Sequence, residues 1–244
     1  MRMRKKKNGE ARLLAASEVL FEAPAHPMTD PAAAIGRAGS EVFLEIGAGK
    51  GGFACEMAKR NPSAAYFAME KVSDCVVIAA EKAIAERAER EDNLRFIVDT
   101  ADNLLRIFAP GTVNRIFLNF SDPWSKKGYA KRRLTHRRYL ALYLNLLADG
   151  GILAFKTDNV GLFDFSLEEI AAMGLTPEAV TRDLHASEWN EGNVMTEYER
   201  AFSSQGVKIN RLILKKPKGF TVQIPEELRC GKQSFTRNVK NENE

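Results

Sequence analysis

Apolar positions along the chain fall into two alternating rhythms from residue 42 onward. Short continuous apolar runs, the pattern of strands buried on both faces, occupy residues 42–46, 65–69, 94–98, 113–120 and 152–155. Between them lie stretches with helical spacing or composition at residues 52–60, 73–90, 102–108, 135–147 and 160–173. In the second of these, Val76, Val77, Ala80 and Ile84 make one apolar face among good helix formers. Punctuation agrees: Asn61-Pro62, Pro110-Gly111 and Asp149-Gly150-Gly151 each close an element.

This alternation predicts a parallel sheet with crossover helices. After Gly174 the pattern changes, and two further strands are expected at residues 176–182 and 207–215. The expected fold class is α/β, a doubly wound, mostly parallel seven-stranded sheet with an antiparallel edge strand. Residues 1–40 read as a basic arm and lead-in, 41–215 as the domain, and 216–244 as a loosely ordered tail with few apolar anchors.

Composition narrows the classes. With 45% hydrophobic residues the chain can bury a core, which excludes global disorder. No run approaches the ~18 apolar residues that span a bilayer, and no signal sequence follows the basic start, so a soluble cytoplasmic protein is expected. Cys55, Cys75 and Cys230 are isolated, without metal-ligand spacing, and no metal is expected. The net charge of +4 permits a nucleic-acid partner, and its distribution matters more.

Gly47, Gly49 and Gly52 satisfy G-x-G-x-x-G, which admits a dinucleotide. The same segment also carries Glu45 at the strand end, in E-x-G-x-G-x-G. A carboxylate there would repel a pyrophosphate but would suit the ammonium and sulfonium of S-adenosylmethionine. Glu70, ending the second strand, is placed to accept from ribose hydroxyls in either ligand.

The fourth strand runs into Asn119-Phe120-Ser121-Asp122-Pro123-Trp124 and then a basic stretch. Residues 126–138 contain seven Lys or Arg and no acid, a phosphate-binding composition, beside a tryptophan on which a base can stack. Asp122 falls at the carboxyl edge of the sheet, where ligands of such folds bind. Thr196-Glu197-Tyr198-Glu199 reads locally as a capping box.

The stretch from Asn119 to Leu134 resembles the signature N-F-S-D-P-W-x-K-K-x-x-A-K-R-R-L of the tRNA (guanine-N7-)-methyltransferase family. The resemblance extends over residues 41–214, with Met1-Arg2-Met3-Arg4 at the start, through Leu44 to Gly51, Glu70, Phe155-Lys156-Thr157-Asp158 and Thr196 to Glu199. It implies a class I S-adenosylmethionine-dependent enzyme that methylates N7 of a guanine in the tRNA variable loop. By that likeness Glu45, Gly47, Gly49, Glu70, Asp99, Thr100 and Asp122 would bind the cofactor. Thr100 stands where the family carries an aspartate, with Asp99 one place earlier. Asp122 would be catalytic, and Lys126, Asp158, Thr196, Glu197, Tyr198 and Glu199 would contact the substrate. Monomer and homodimer stay open. So do an amino-group methyltransferase, whose motif needs a second proline after Asp122-Pro123, a non-catalytic RNA-binding module, and a nicotinamide oxidoreductase.

Overall fold

The structure, a computed structural model, describes residues 6–87 and 91–229. Its core is a seven-stranded sheet in the order β3-β2-β1-β4-β5-β7-β6. The strands are β1 (Val42–Ile46), β2 (Ala65–Met69), β3 (Leu94–Ile97), β4 (Val113–Asn119), β5 (Leu147–Thr157), β6 (Ala179–Thr181) and β7 (Asn210–Lys215). β1 to β5 are mutually parallel, and β7 runs antiparallel between β5 and β6. The antiparallel strand expected at the edge therefore lies one place in, with the three-residue β6 outside it.

Alternate side chains of each strand feed two different cores, as the period of two requires. Val42, Leu44 and Ile46 of β1, with Ala65, Phe67 and Met69 of β2, point to one face. That face is covered by α4 (Leu104–Ile107), α5 (Arg137–Leu146) and α6 (Val160–Ala171). Phe43, Tyr66, Ala68 and Phe117 point to the other, against α2 (Gly52–Arg60) and α3 (Ser73–Ala85). A short α1 (Gly9–Ala15) packs outside α3, clamped by a two-pronged Arg12–Glu81 pair at 2.7 Å. Small residues on α2 and α3 (Ala54, Ala58, Ala79, Ala80, Ala83) let the helices lie close to the aromatic cluster of Phe43, Tyr66 and Phe117.

Most element positions agree with the periodicity, and the differences have local causes. α5 begins at Arg137 rather than residue 135 because His136 caps it, its Nδ1 accepting from Arg138 N at 3.2 Å. The helix expected at 102–108 starts instead as a 3-10 turn, Ala101–Asn103. β5 is longer than the apolar run of 152–155 because it starts at Leu147 and continues through the glycine pair. The β4–β5 register slips between Val113 and Arg115, and a Cβ on Gly151 would stand 2.9 Å from Ala148 O and 3.0 Å from Asn114 O. Only glycine fits that irregularity.

The tail expected to be loose is partly packed. Phe220, Val222 and Ile224, spaced by two, lie against the core, and Leu228 of α8 (Glu226–Arg229) is fully buried. Lys216 helps anchor the segment by donating to Leu147 O at 2.8 Å. Those anchors are sparse in sequence but all on one side of the chain. Residues 230–244, with Cys230, and the basic residues before Lys6 lie outside the described residues.

The turn after β1 carries left-handed glycines at 47, 49 and 51, with φ of 85°, 55° and 76°. A Cβ at Gly51 would meet Ala79 Cβ at 2.7 Å, so α3 closes directly over that peptide. Gly51→Ala should therefore destabilise the protein by about 2–4 kcal/mol through combined backbone strain and overpacking. Urea denaturation measures this; a loss below about 0.5 kcal/mol, the usual scale of surface changes, would contradict the close packing.

Candidate active site

The chains leaving β1 and β4, neighbours in the sheet, pass to opposite faces, which opens a crevice at their carboxyl ends. Glu45 and Asn119 meet there. Glu45 is 2% exposed; its Oε1 accepts from Asn119 Nδ2 at 3.0 Å, and its Oε2, also buried, has no hydrogen-bond partner among the described residues. Burial pushes the Glu45 carboxyl up to about 7, opposed by the Asn119 hydrogen bond and the Lys156 charge. Beside it, Gly47 and Gly49 have open space where a Cβ would stand, so a ligand can approach the backbone there.

Glu70 completes the turn from the neighbouring strand. Its carboxylate accepts from Gly49 N at 3.1 Å and from Val72 N at 2.8 Å, which ties the glycine turn to the start of α3. Asp99 and Thr100 follow β3 on the same edge. Asp99 Oδ1 accepts from Thr100 N and from Asn103 Nδ2, both at 2.7 Å, so this carboxylate shapes its own turn. Thr100 is exposed.

The loop after β4 is held in an unusual backbone. Phe120 and Trp124 are non-glycine residues with φ of 52° and 41°, and they bracket Asp122 and Pro123. Each such conformation costs roughly 1–3 kcal/mol and persists only where surroundings enforce it. Two clamps do so: Phe120 N donates to Lys156 O at 2.9 Å, and Arg133 donates to Pro123 O and Trp124 O at 3.0 and 3.2 Å. The effect is to push Asp122 outward; its side chain is 70% exposed, with Lys71 Nζ 3.9 Å away.

Not all seven basic residues of the stretch are left free of partners. Arg137 forms a two-pronged pair with Glu169, Arg138 binds Asp102 and Tyr139, and Arg133 serves the loop. Lys126, Lys127, Lys131 and Arg132 remain exposed, on or beside a 3-10 turn (Lys127–Arg132), with no acidic partner among the described residues. Arg132 stacks over Trp124 and Tyr129 at 5.0 and 4.7 Å.

Facing this loop is α7 (Glu197–Ser203), which Thr196 and Glu199 open as a reciprocal capping box. Tyr198 leans on Phe120 with ring centroids 4.9 Å apart, and its hydroxyl donates to Asp158 Oδ2 at 3.1 Å. Glu197 pairs with Lys82 of α3. Glu199 stands apart from its neighbours: it is wholly buried, and both its oxygens are engaged, by Lys156 at 2.6 Å and by His185 at 2.8 Å. A side chain so enclosed is in no position to face a substrate.

Asp158 and Tyr198 thus meet beside Phe120 of the Asp122 loop, Asp122 itself lies toward Lys71, and Glu45, Gly47, Gly49 and Glu70 line the adjacent crevice. The residues that sequence reasoning missed are Asn119, Lys156 and His185. Lys156 and Asn119 sit inside motifs noted for other residues, and His185 carries no local signal at all.

The strand order and the crevice define a methyltransferase fold of the Rossmann-like class. Similar solved structures include the 16S rRNA methyltransferase KamB (TM-score 0.56, 14% identity, covering 73% of this chain and 88% of that one). A second is a 16S rRNA adenine methyltransferase with its cosubstrate S-adenosylmethionine, from Catenulisporales acidiphilia (TM-score 0.53, 11% identity, 90% and 96% coverage). Residues 39–212 match a family model described as a putative methyltransferase. A tRNA (guanine-N(7)-)-methyltransferase from Lachnoclostridium phytofermentans is 50% identical over 173 residues, covering 70% of this chain and 79% of that protein. The chain belongs to the tRNA (guanine-N7-)-methyltransferase family.

The raised Glu45 pKa has a sign that can be measured. The folded state holds this proton more tightly than the unfolded chain, whose value is 4.5, so the stabilisation is full below about pH 4.5 and lost as pH rises to about 7. Glu45→Gln stays uncharged. In the ligand-free protein, the stability of wild type relative to this variant should fall from pH 5 to 7, by about 2 kcal/mol, and then level off. Parallel pH profiles of the two proteins in urea unfolding would contradict the assignment.

Proposed function

We propose that this protein transfers a methyl group from S-adenosylmethionine to N7 of a guanine in the variable loop of tRNA, in the cytoplasm. The observation that carries the donor half is Glu45 Oε2, a buried carboxylate oxygen without a partner among the described residues, beside an open glycine turn. A buried polar atom of this kind costs stability unless a ligand satisfies it, and a cationic ligand does so best. The α-ammonium of S-adenosylmethionine fits that need. Glu70, its carboxylate oriented by two backbone amides, has acceptor capacity left for ribose hydroxyls. Thr100, exposed after β3, takes the adenine end of the site through its hydroxyl, beside the second carboxylate oxygen of Asp99, whose Oδ1 serves its own turn.

The acceptor half rests on the family and on the loop after β4. When bound, the cofactor supplies a methyl group on a sulfonium, ready for displacement. Guanine N7 has an in-plane lone pair and needs no deprotonation, so alignment provides most of the acceleration. Positive charge develops on the purine as the methyl arrives. The exposed Asp122, held out by a strained loop, would stabilise that charge, and Asp158 with Tyr198 and Thr196 would hold the base edge. Lys126, Lys127, Lys131 and Arg132, without acidic partners among the described residues, suit the tRNA phosphates, and Glu197 joins the rim of the same surface.

Incubation of unmodified tRNA with the protein and S-adenosylmethionine, followed by nucleoside digestion, should yield 7-methylguanosine. A different methylated nucleoside, or none, would overturn the proposal. Asp122→Ala should leave S-adenosylhomocysteine affinity within a few-fold of wild type while reducing single-turnover methyl transfer by about 100-fold or more. Wild-type turnover in this variant would remove Asp122 from the chemistry.

A further inference from the structure

Lys156 is a cation in a place where an apolar side chain would serve the fold. It lies in β5 and is 5% exposed, with the buried Ala154 and Phe53 on the same side of the sheet. Burying an ammonium costs several kcal/mol unless its donors are matched. Here all three find acceptors, and all three acceptors come from one segment: Asn193 Oδ1 at 3.2 Å, Val194 O at 2.9 Å and Glu199 Oε2 at 2.6 Å. Glu199 is in turn enclosed by His185, Asn193 and the Thr196 amide. Burial works to raise its pKa, but the Lys156 charge and these hydrogen bonds outweigh it and hold the carboxyl below its ordinary value.

The segment so anchored needs an anchor. α7 has seven residues, too few to hold helical form alone, and its surface carries Tyr198 and Glu197, each a little under half exposed. The same lysine reaches two other parts of the site. Its carbonyl accepts from Phe120 N, which fixes the first left-handed residue of the Asp122 loop. Its ammonium lies 5.3 Å from the ring centroid of Phe53, in the first turn of the helix that follows the glycine turn. Asp158 follows it by two residues.

We infer that Lys156 is a positioning residue that fastens residues 193–199 to β5, so that the α7 side chains stand opposite the Asp122 loop at the distance the tRNA base requires. This rests on the function proposed above. The ion pair acts as a registration device: many side chains would fill the space, but a buried pair accepts only one placement of its two strands of chain. Glu199 belongs to this fastening, not to the substrate surface.

Three variants test the inference: Lys156→Met, the paired Lys156→Met/Glu199→Met, and Asn193→Ala. The first leaves a buried carboxylate without its cation and should lower Tm; the pair, replacing both charges by apolar volume, should recover most of that loss. In both, S-adenosylhomocysteine affinity should fall by no more than about threefold, through loss of the Lys156 charge that helps keep Glu45 ionised, while KM for tRNA rises about tenfold or more and kcat changes less. Asn193→Ala should raise KM about threefold. Amide hydrogen exchange over residues 193–203 should quicken in all three before global unfolding does.

A paired variant that keeps wild-type KM and wild-type exchange overturns the inference. So does a fall in S-adenosylhomocysteine affinity as large as the fall in tRNA affinity, which would assign Lys156 to the cofactor site. If the paired variant fails to fold, Asn193→Ala decides, and unchanged KM and exchange there overturn the inference. Hydrogen exchange is read without tRNA, so failure of the tRNA reading, seen as no 7-methylguanosine from wild type, is distinguishable from failure of the fastening.

Discussion

The site exists because two adjacent parallel strands send their chains in opposite directions. β1 leads to α2 on one face, while β4 leads through the Asp122 loop to α5 on the other. A parallel sheet makes such a division obligatory wherever strand order reverses, and it leaves the strand ends uncovered. Glu45 and Asn119 stand on the two sides of that division and bond across it at 3.0 Å. The glycine turn, the Glu70 brace and the Asp122 loop are all arranged around this opening.

Glu199 and Glu45, two of the buried carboxylates in this part of the fold, are handled in opposite ways. Glu199 is saturated: an ammonium, an imidazole, an amide side chain and a backbone N–H take up its oxygens, and its charge is stable in place. Glu45 is left half satisfied, its carboxyl raised to about 7 by burial. A fully paired buried charge builds structure, whereas a half-paired one stores a preference for a ligand of opposite sign. The two roles follow from the partners, since the side chains are chemically identical.

The basic stretch shows a similar division of labour. Arg133, Arg137 and Arg138 are planar, multidentate donors and are used inward, on carbonyls and on the carboxylates of Glu169 and Asp102. The lysines, flexible point charges, are left outward. Of seven cations in sequence, four are left exposed without an acidic partner among the described residues, while Arg133, Arg137 and Arg138 hold the strained loop and the start of α5. Arg132 is the exception, stacked on Trp124 and Tyr129.

By itself the sequence determined the order and type of nearly every central element, because buried parallel strands and amphipathic helices write their periods into consecutive residues. It also marked Glu45, Glu70 and Asp122 as strand-end carboxylates, since strand ends are local features. It missed the packed part of the tail, where Phe220, Val222 and Ile224 are too few to read as a pattern yet share one side of an extended chain. Only the tertiary structure decided which polar residues turn inward. Lys156 and Glu199 are 43 positions apart and Glu45 and Asn119 are 74 apart, and neither pairing has any local signature. A hydrogen bond depends on distance in space, and the sheet order that creates that distance is a property of the whole chain.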